Sequence, residues 1–240
     1  MIEDIKNYYN TENCVKKYSE DVDDVKLWVS EKYIFSKYIK KTDKILDVGC
    51  GAGRTTINLY KDGFTNIVGL DLAANLLGFA KEYCKKNHLN IEFVNQSATN
   101  IKFKDATFDA VIFSYNGLMC IPGEENRKKA VSEIHRVLKT NGVFIFTAHD
   151  RDNPKFLKFW QEEKKRWENG MKDKRLDKFG DRLMPDEFGK ESYIHIPSKI
   201  EVKELCESAG LKVLESVNNL EIGSFEEIKR ETIFWVVQKI

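Results

Sequence analysis

A doubly wound α/β sheet is the fold this sequence predicts, and three observations predict it. Short apolar runs alternate with amphipathic stretches from Lys44 to Thr147, the pattern of parallel strands joined by right-handed helical crossovers. The run "FDAVIFS" (Phe108–Ser114) is nearly all apolar, as strands buried on both faces are. A glycine-rich turn, "DVGCGAGRTT" (Asp47–Thr56), directly follows a strand-like run. Glycines there allow positive φ and close approach of the backbone to a ligand.

The elements follow in order. Residues 1–20 are polar with interspersed Tyr8, Tyr9 and Tyr18 and read as a helical arm, extending to about residue 40. From Asp21 to Ile39, Val25, Trp28, Val29, Tyr33, Ile34 and Tyr38 recur at spacings near three and four, which predicts one helix. Lys44–Val48 reads as the first strand, Arg54–Tyr60 as a helix stopped by Gly63, and Asn66–Leu72 as the second strand. A helix over Ala73–Lys86, a short strand over Ile91–Val94 and a fourth strand over Phe108–Ser114 come next. Asn126–Lys139 carries the stripe Ala130, Val131, Ile134, Val137 and Leu138, with Asn141-Gly142 as its stop. Val143–Thr147 is the fifth strand. From about 150 to 197 the pattern breaks, which reads as an inserted helix and an irregular excursion. A helix over Lys199–Ala209, a strand over Leu211–Glu215 and a last strand over Glu231–Gln238 complete a single domain spanning 1–240.

The composition narrows the function. Lys plus Arg (39) and Asp plus Glu (38) nearly cancel, so no global basic field points to nucleic acid. Cys14, Cys50, Cys84, Cys120 and Cys206 are scattered, with no CxxC pair and no Cys/His cluster at ligand spacing. Reduced cytoplasmic thiols and no metal site are expected. The acidic, polar start Met1–Asp4 is unlike a secretory signal, and no apolar run reaches membrane-spanning length. A cytoplasmic protein, without a membrane and as a monomer or homodimer, is the expectation.

Three nucleotide readings of the glycine loop compete. A P-loop needs a lysine followed by Ser or Thr after its last glycine; Gly53 is followed by Arg54-Thr55-Thr56. A dinucleotide fingerprint needs a third glycine two residues beyond the second; Arg54 or Thr56 stands there. What is present is D-x-G-x-G-x-G at Asp47, Gly49, Gly51 and Gly53, with Asp71 closing the second strand eighteen positions after Gly53. A carboxylate at the end of an adjacent parallel strand can accept bonds from ribose hydroxyls. The expected ligand therefore carries a ribose and needs no phosphate clamp.

On these residues the chain resembles a family. "ILDVGCGAGR", "VGLDL", "FDAVIFSYNGL" and "EIHRVLKTNGVFIFT" are similar to the successive motifs of class I S-adenosylmethionine-dependent methyltransferases, of the type 11/25-like group. The resemblance spans roughly Leu27 to Thr147, with a weaker echo in "EVKELCESAGLKVLE". It implies a Rossmann-like, seven-stranded, mostly parallel sheet whose last strand is antiparallel and inserted between its neighbours. It implies S-adenosyl-L-methionine as cofactor and S-adenosyl-L-homocysteine as product. Gly49, Cys50, Gly51 and Gly53 then form the loop around the cofactor, and Asp47 positions its methionine end. Asp71 takes the ribose hydroxyls and Leu72 packs near adenine. Where the family often has Asp before Ala to bond the adenine amino group, this chain has Ser97 before Ala98. Ser114, Tyr115 and Asn116 are expected beside the methionine or the transferring methyl.

The acceptor side is read from position. His149 follows the fifth strand, at the carboxyl edge where α/β sheets hold ligands, and is the candidate catalytic base, with Tyr115 and Asp150 as neighbours. The insertion and the arm are expected to form the substrate lid. Asn116, His149, Trp160, Tyr193 and His195 are the candidate substrate contacts, and a small-molecule acceptor is favoured. Two alternatives stand beside it. One is a tRNA wobble-uridine methyltransferase, whose "YxH" stretch Tyr193-Ile194-His195 resembles. The other is a non-catalytic S-adenosylmethionine-binding module.

Overall fold

The computed structural model describes residues 1–185, 190–224, 227 and 231–240. Part of the insertion, positions 186–189, lies outside the described residues. Strands β1 (Ile45–Val48), β2 (Ile67–Asp71), β3 (Glu92–Asn95), β4 (Phe108–Phe113), β5 (Leu138–Ala148), β8 (Leu211–Asn218) and β9 (Ile233–Lys239) form one sheet in the order β3-β2-β1-β4-β5-β9-β8. The pairs from β3 to β5 are parallel. Strand β9 runs antiparallel between β5 and β8, as the family resemblance implies. The remaining strands, β6 (Asp181–Pro185) and β7 (Glu191–His195), pair only with each other.

Both faces of the sheet are covered, which is why its strands read as continuous apolar runs. Alternation within a strand sorts side chains between two cores. On β5, Phe144 and Phe146 face one core with Val111, Ile134 and Trp235; Val143 and Ile145 face the other with Ile34, Phe35 and Ile112. Helix α6 (Glu124–Val137) covers the first with its stripe Ala130, Val131, Ile134 and Val137, all fully buried. Helix α3 (Val29–Tyr38) covers the second. Each fully buried large apolar side chain contributes roughly 1.5–3 kcal/mol. Because β1 lies between β2 and β4, the strand order reverses there, opening a crevice at the carboxyl ends of the strands.

Three sequence expectations are corrected. The single helix over 21–39 is two, α2 (Glu12–Asp24) and α3, broken at residues 25–28. Lys26 sits at φ +57, and its carbonyl accepts a bond from Arg54 Nη1 at 2.5 Å. The Trp28 N–H donates to Glu31 Oε2 at 3.0 Å, starting α3 afresh. The apolar spacing runs through this break, so periodicity could not reveal it. Secondly, Asn141-Gly142 does not stop the helix. Helix α6 ends at Val137 and β5 begins at once, carrying Asn141 (φ +65) inside it beside a register shift against β4. Thirdly, the insertion holds regular structure beyond its helix α7 (Leu157–Glu168), since β6 and β7 form an antiparallel pair.

That pair is joined to the body by a buried polar cluster. Tyr193 Oη donates to Asp181 Oδ1 at 2.6 Å and accepts from Arg127 Nη1 at 2.8 Å; His195 Nδ1 lies 2.8 Å from the same Asp181 oxygen. Burial raises the Asp181 carboxyl, but the bonds from His195 and Tyr193 outweigh it and hold it at about 2. Burial depresses His195 below its ordinary 6.5. Both shifts have the same sign in stability. Between about 2 and 3.8 for Asp181, and below 6.5 for His195, the unfolded chain binds more protons than the folded one, so acid destabilises. Chemical denaturation from pH 8 to 5 should show stability falling as pH drops through 6.5. Tyr193→Phe should cost about 1–3 kcal/mol, because it leaves buried partners short of a bond.

Candidate functional site

The glycine loop is built for positive φ. Gly49, Gly51 and Gly53 sit at +65, +55 and +88, where a Cβ is strained. At Gly49 a Cβ would also stand 2.4 Å from the Phe113 ring of β4, and at Gly53 2.9 Å from Ile57 of α4 (Arg54–Lys61). At Gly51 only Leu76 comes within 4 Å, at 3.8 Å. Gly51 therefore gives its backbone face to the cleft.

Asp71, the last residue of β2, clips this loop in place. Its Oδ2 accepts from the Gly51 N–H and its Oδ1 from the Ala73 N–H, both at 2.7 Å. Each carboxylate oxygen retains a further acceptor position, enough for a pair of vicinal hydroxyls. Burial raises the Asp71 carboxyl, opposed by these two N–H groups. Asp47, on β1, is 1% exposed and accepts from Thr56 Oγ1 at 2.6 Å. Burial, only partly offset by Thr56 and the Arg54 charge, pushes it up to about 7.

One cleft joins the expected cofactor residues. Asp47, Gly49, Cys50, Gly51, Asp71, Leu72, Ser97, Ala98, Ser114 and Tyr115 all line it. Gly53 stands behind it, turning the chain into α4. Ser97 Oγ lies 2.8 Å from Thr99 Oγ1 and accepts from the Thr99 N–H at 3.2 Å. Tyr115 and Asn116 both adopt positive φ (+57 and +60), a sharp turn that places the end of β4 at the cleft. Burial keeps the Cys50 thiol far above its ordinary value, so it is no thiolate nucleophile. Glycine backbone, the carboxylates of buried Asp47 and half-buried Asp71, and a flanking apolar wall at Leu72 and Leu76 fit an adenosine carrying an amino-acid tail.

The other wall was not expected in detail. Helix α1 (Ile2–Tyr9) contributes Ile2, Ile5, Lys6 and Tyr9, and α2 contributes Tyr18 and Asp21. Ile121 and Pro122 close the far side. The signal was present as spacing: Ile2, Ile5 and Tyr9 recur at three and four, yet α1 buries none of its residues. Tyr9 packs against the core cluster that includes Leu76 and Leu77, while Ile2 and Ile5 line the cleft. Among the described residues, the insertion contributes nothing to this cleft; its hairpin lies outside α1, across a second groove lined by Tyr8, Arg175 and Leu183.

Arg54, which stands where a P-loop would carry its lysine, anchors the arm. Its guanidinium is held by Glu31 of α3 at 2.7 and 2.6 Å, and it stands 5.7 Å from the Tyr115 ring. Asn58, one turn on, donates to the Val22 carbonyl of α2 at 2.9 Å.

The expected substrate contacts do not converge on the cleft. His149 Nδ1 lies 2.9 Å from the Glu231 carbonyl, which fixes that nitrogen as the donor, and Nε2 lies 3.1 Å from Asn116 Nδ2. Asn116 Oδ1 in turn accepts from Thr232 Oγ1 at 2.9 Å. Both His149 nitrogens are engaged, and neither His149 nor Asn116 lines the cleft. Trp160 is 6% exposed and packs edge-on against Phe159 and Phe179. Tyr193 and His195 belong to the buried Asp181 cluster.

Comparisons with known proteins find similar sequences and a shared fold. Residues 45–142 match a protein-family model described as "Methyltransferase domain". An uncharacterised protein of Methanocaldococcus jannaschii is 34% identical over 144 residues, 60% of this chain and 51% of that one. The ubiquinone/menaquinone biosynthesis C-methyltransferase UbiE of Campylobacter jejuni is 28% identical over 163 residues, 63% of this chain and 64% of its own. A crystal structure of a SAM-dependent methyltransferase from Methanosarcina mazei superposes with a TM-score of 0.68 at 20% identity, covering 86% of this chain and 97% of that one. At that identity the likeness shows the fold. The chain spans about half the length of the first curated relatives it matches. Residues 45–142 thus resemble a methyltransferase domain, and the fold is the one solved for SAM-dependent methyltransferases. Among the described residues, no helix is long and apolar enough to cross a membrane.

Proposed function

We propose that this protein transfers a methyl group from S-adenosyl-L-methionine to a small-molecule acceptor, releasing S-adenosyl-L-homocysteine. The observation that carries the reading is the single cleft in which the glycine loop, Asp71, Ser97-Ala98 and Ser114-Tyr115 meet an apolar chamber roofed by α1 and α2. When bound, the cofactor supplies an electrophilic methyl on a sulfonium. The chain's part is to bind, orient and enclose. Asp71 takes the ribose hydroxyls, Ser97 and Ala98 the adenine edge, and Asp47 the methionine end. Orientation in a closed cleft can supply about 7–11 kcal/mol of a barrier. Bonded on both nitrogens, His149 acts by holding Asn116 behind the β4 turn, not as a base. The name of the Campylobacter jejuni relative, for ubiquinone and menaquinone biosynthesis, supports a small acceptor.

Two features weigh against tRNA. Tyr193 and His195 are 1% and 3% exposed, so neither reaches a bulky ligand, and the chain carries a net charge of only +1, little for a phosphate backbone. Incubation with methyl-labelled S-adenosylmethionine and pooled small amines, phenols and acids should give a labelled small product. Label found only in added unmodified tRNA would contradict the reading.

A pH dependence follows from Asp47. Raised to about 7, it is largely protonated at pH 6 in the free protein. A cationic methionine end favours the carboxylate, so binding should release a proton and tighten from pH 6 to 8. Calorimetry in two buffers of different ionisation heat checks this, and Asp47→Asn should flatten the profile.

A further inference from the structure

The cofactor motifs explain one side of the cleft, and the α1–α2 side has a chemistry of its own. Both cations on it are already countered: Arg54 is held by Glu31 at 2.6 Å, and Lys6 reaches Glu3 at 3.4 Å. Asp21 differs, because it enters no ion pair among the described residues, and it lines the cleft one turn along α2 from Tyr18. The rings of Tyr9, Tyr18 and Tyr115 run beside one another, with successive centroids 6.0 and 6.5 Å apart. Burial keeps the Tyr9 and Tyr18 hydroxyls protonated and pushes the neighbouring Cys120 thiol up to about 11. Beyond the cofactor motifs, the cleft is thus lined by one carboxylate with no ion-pair partner among the described residues, by the aromatic rings of Tyr9, Tyr18 and Tyr115, and by the apolar Ile2, Ile5 and Ile121. Aromatic faces with a carboxylate attract organic ammonium ions and disfavour anions.

We propose that the methyl acceptor is an amine with an apolar body, its nitrogen anchored by Asp21 against the rings of Tyr9 and Tyr18. This deepens, and rests on, the methyltransferase reading above. The ammonium must first release a proton, to Asp21 or through it to water. The freed nitrogen lone pair then forms the N–CH3 bond as the S–CH3 bond breaks, its electron pair remaining on sulfur as the thioether. Asp21 thereby becomes a specificity-determining residue and the proton's first acceptor.

The experiment compares three matched probes, phenethylamine, 3-phenylpropionate and 4-ethylphenol. Methylation is followed with S-adenosylmethionine, and probe binding by calorimetry to protein loaded with S-adenosylhomocysteine. The expected result is N-methylation of phenethylamine with kcat/KM at least tenfold above the other two. Asp21→Asn should raise its KM tenfold or more with S-adenosylmethionine affinity unchanged, and Asp21→Glu should recover part of the loss. Preference for 3-phenylpropionate, an unchanged KM in Asp21→Asn, or no binding of phenethylamine by protein that binds S-adenosylmethionine would each overturn the amine assignment alone. Failure to bind S-adenosylmethionine would overturn the methyltransferase reading and, with it, this one.

Discussion

Asp71→Ala should weaken S-adenosylmethionine binding by tenfold to beyond a hundredfold while leaving the protein folded. The carboxylate has two tasks. It receives the Gly51 and Ala73 N–H groups at 2.7 Å, which sets the shape of the glycine loop, and in the proposed function its remaining acceptor positions take the ribose hydroxyls. A hydrogen bond to a charged group is worth about 1.5–3 kcal/mol, and each 1.4 kcal/mol is about tenfold in affinity. Asp71→Asn separates the tasks, since an amide oxygen can still receive one N–H but cannot accept from both hydroxyls as a carboxylate does. Its affinity should fall between wild type and Asp71→Ala. An Asp71→Ala protein that binds as wild type does would remove Asp71 from the ribose site.

Glu31→Ala should cost about 3–5 kcal/mol of stability. The pair it forms with Arg54 is buried, with side chains 3% and 10% exposed, and removing one partner leaves a buried guanidinium uncompensated. For a chain of this size that corresponds to a Tm lower by roughly 6–20 °C. Glu31→Ala combined with Arg54→Met should recover much of the loss, because it removes the stranded charge. A cost below about 1 kcal/mol, as for an exposed pair, would mean that this contact does not fasten the arm to the helix after the glycine loop.

The sheet and the cofactor side of the cleft were legible because their signals are local. A parallel strand buried on both faces, a loop needing positive φ and an acidic strand end each leave a mark within a few residues. Strands β1, β2 and β4 and Asp71 fell where those marks lie. The acceptor side was illegible because its determinants are tertiary. The break at residues 25–28 is made by Arg54, which is 28 residues away from Lys26 in sequence. The β6–β7 pair was hidden because its charged and apolar residues do not alternate cleanly, and the partners of buried Asp181 and His195 include each other and Arg127, distant in sequence. His149 was placed correctly at the carboxyl edge, yet which way its ring turns depends on Asn116 and Glu231, far along the chain.

The most direct test of the central claim is a calorimetric titration of the wild-type protein with S-adenosylmethionine, beside NAD and ATP. The cleft described above predicts micromolar binding of S-adenosylmethionine and no comparable binding of the other two, because the glycine loop has neither a phosphate-reaching lysine nor a dinucleotide turn. Preference for NAD or ATP, or no binding of S-adenosylmethionine, would contradict it.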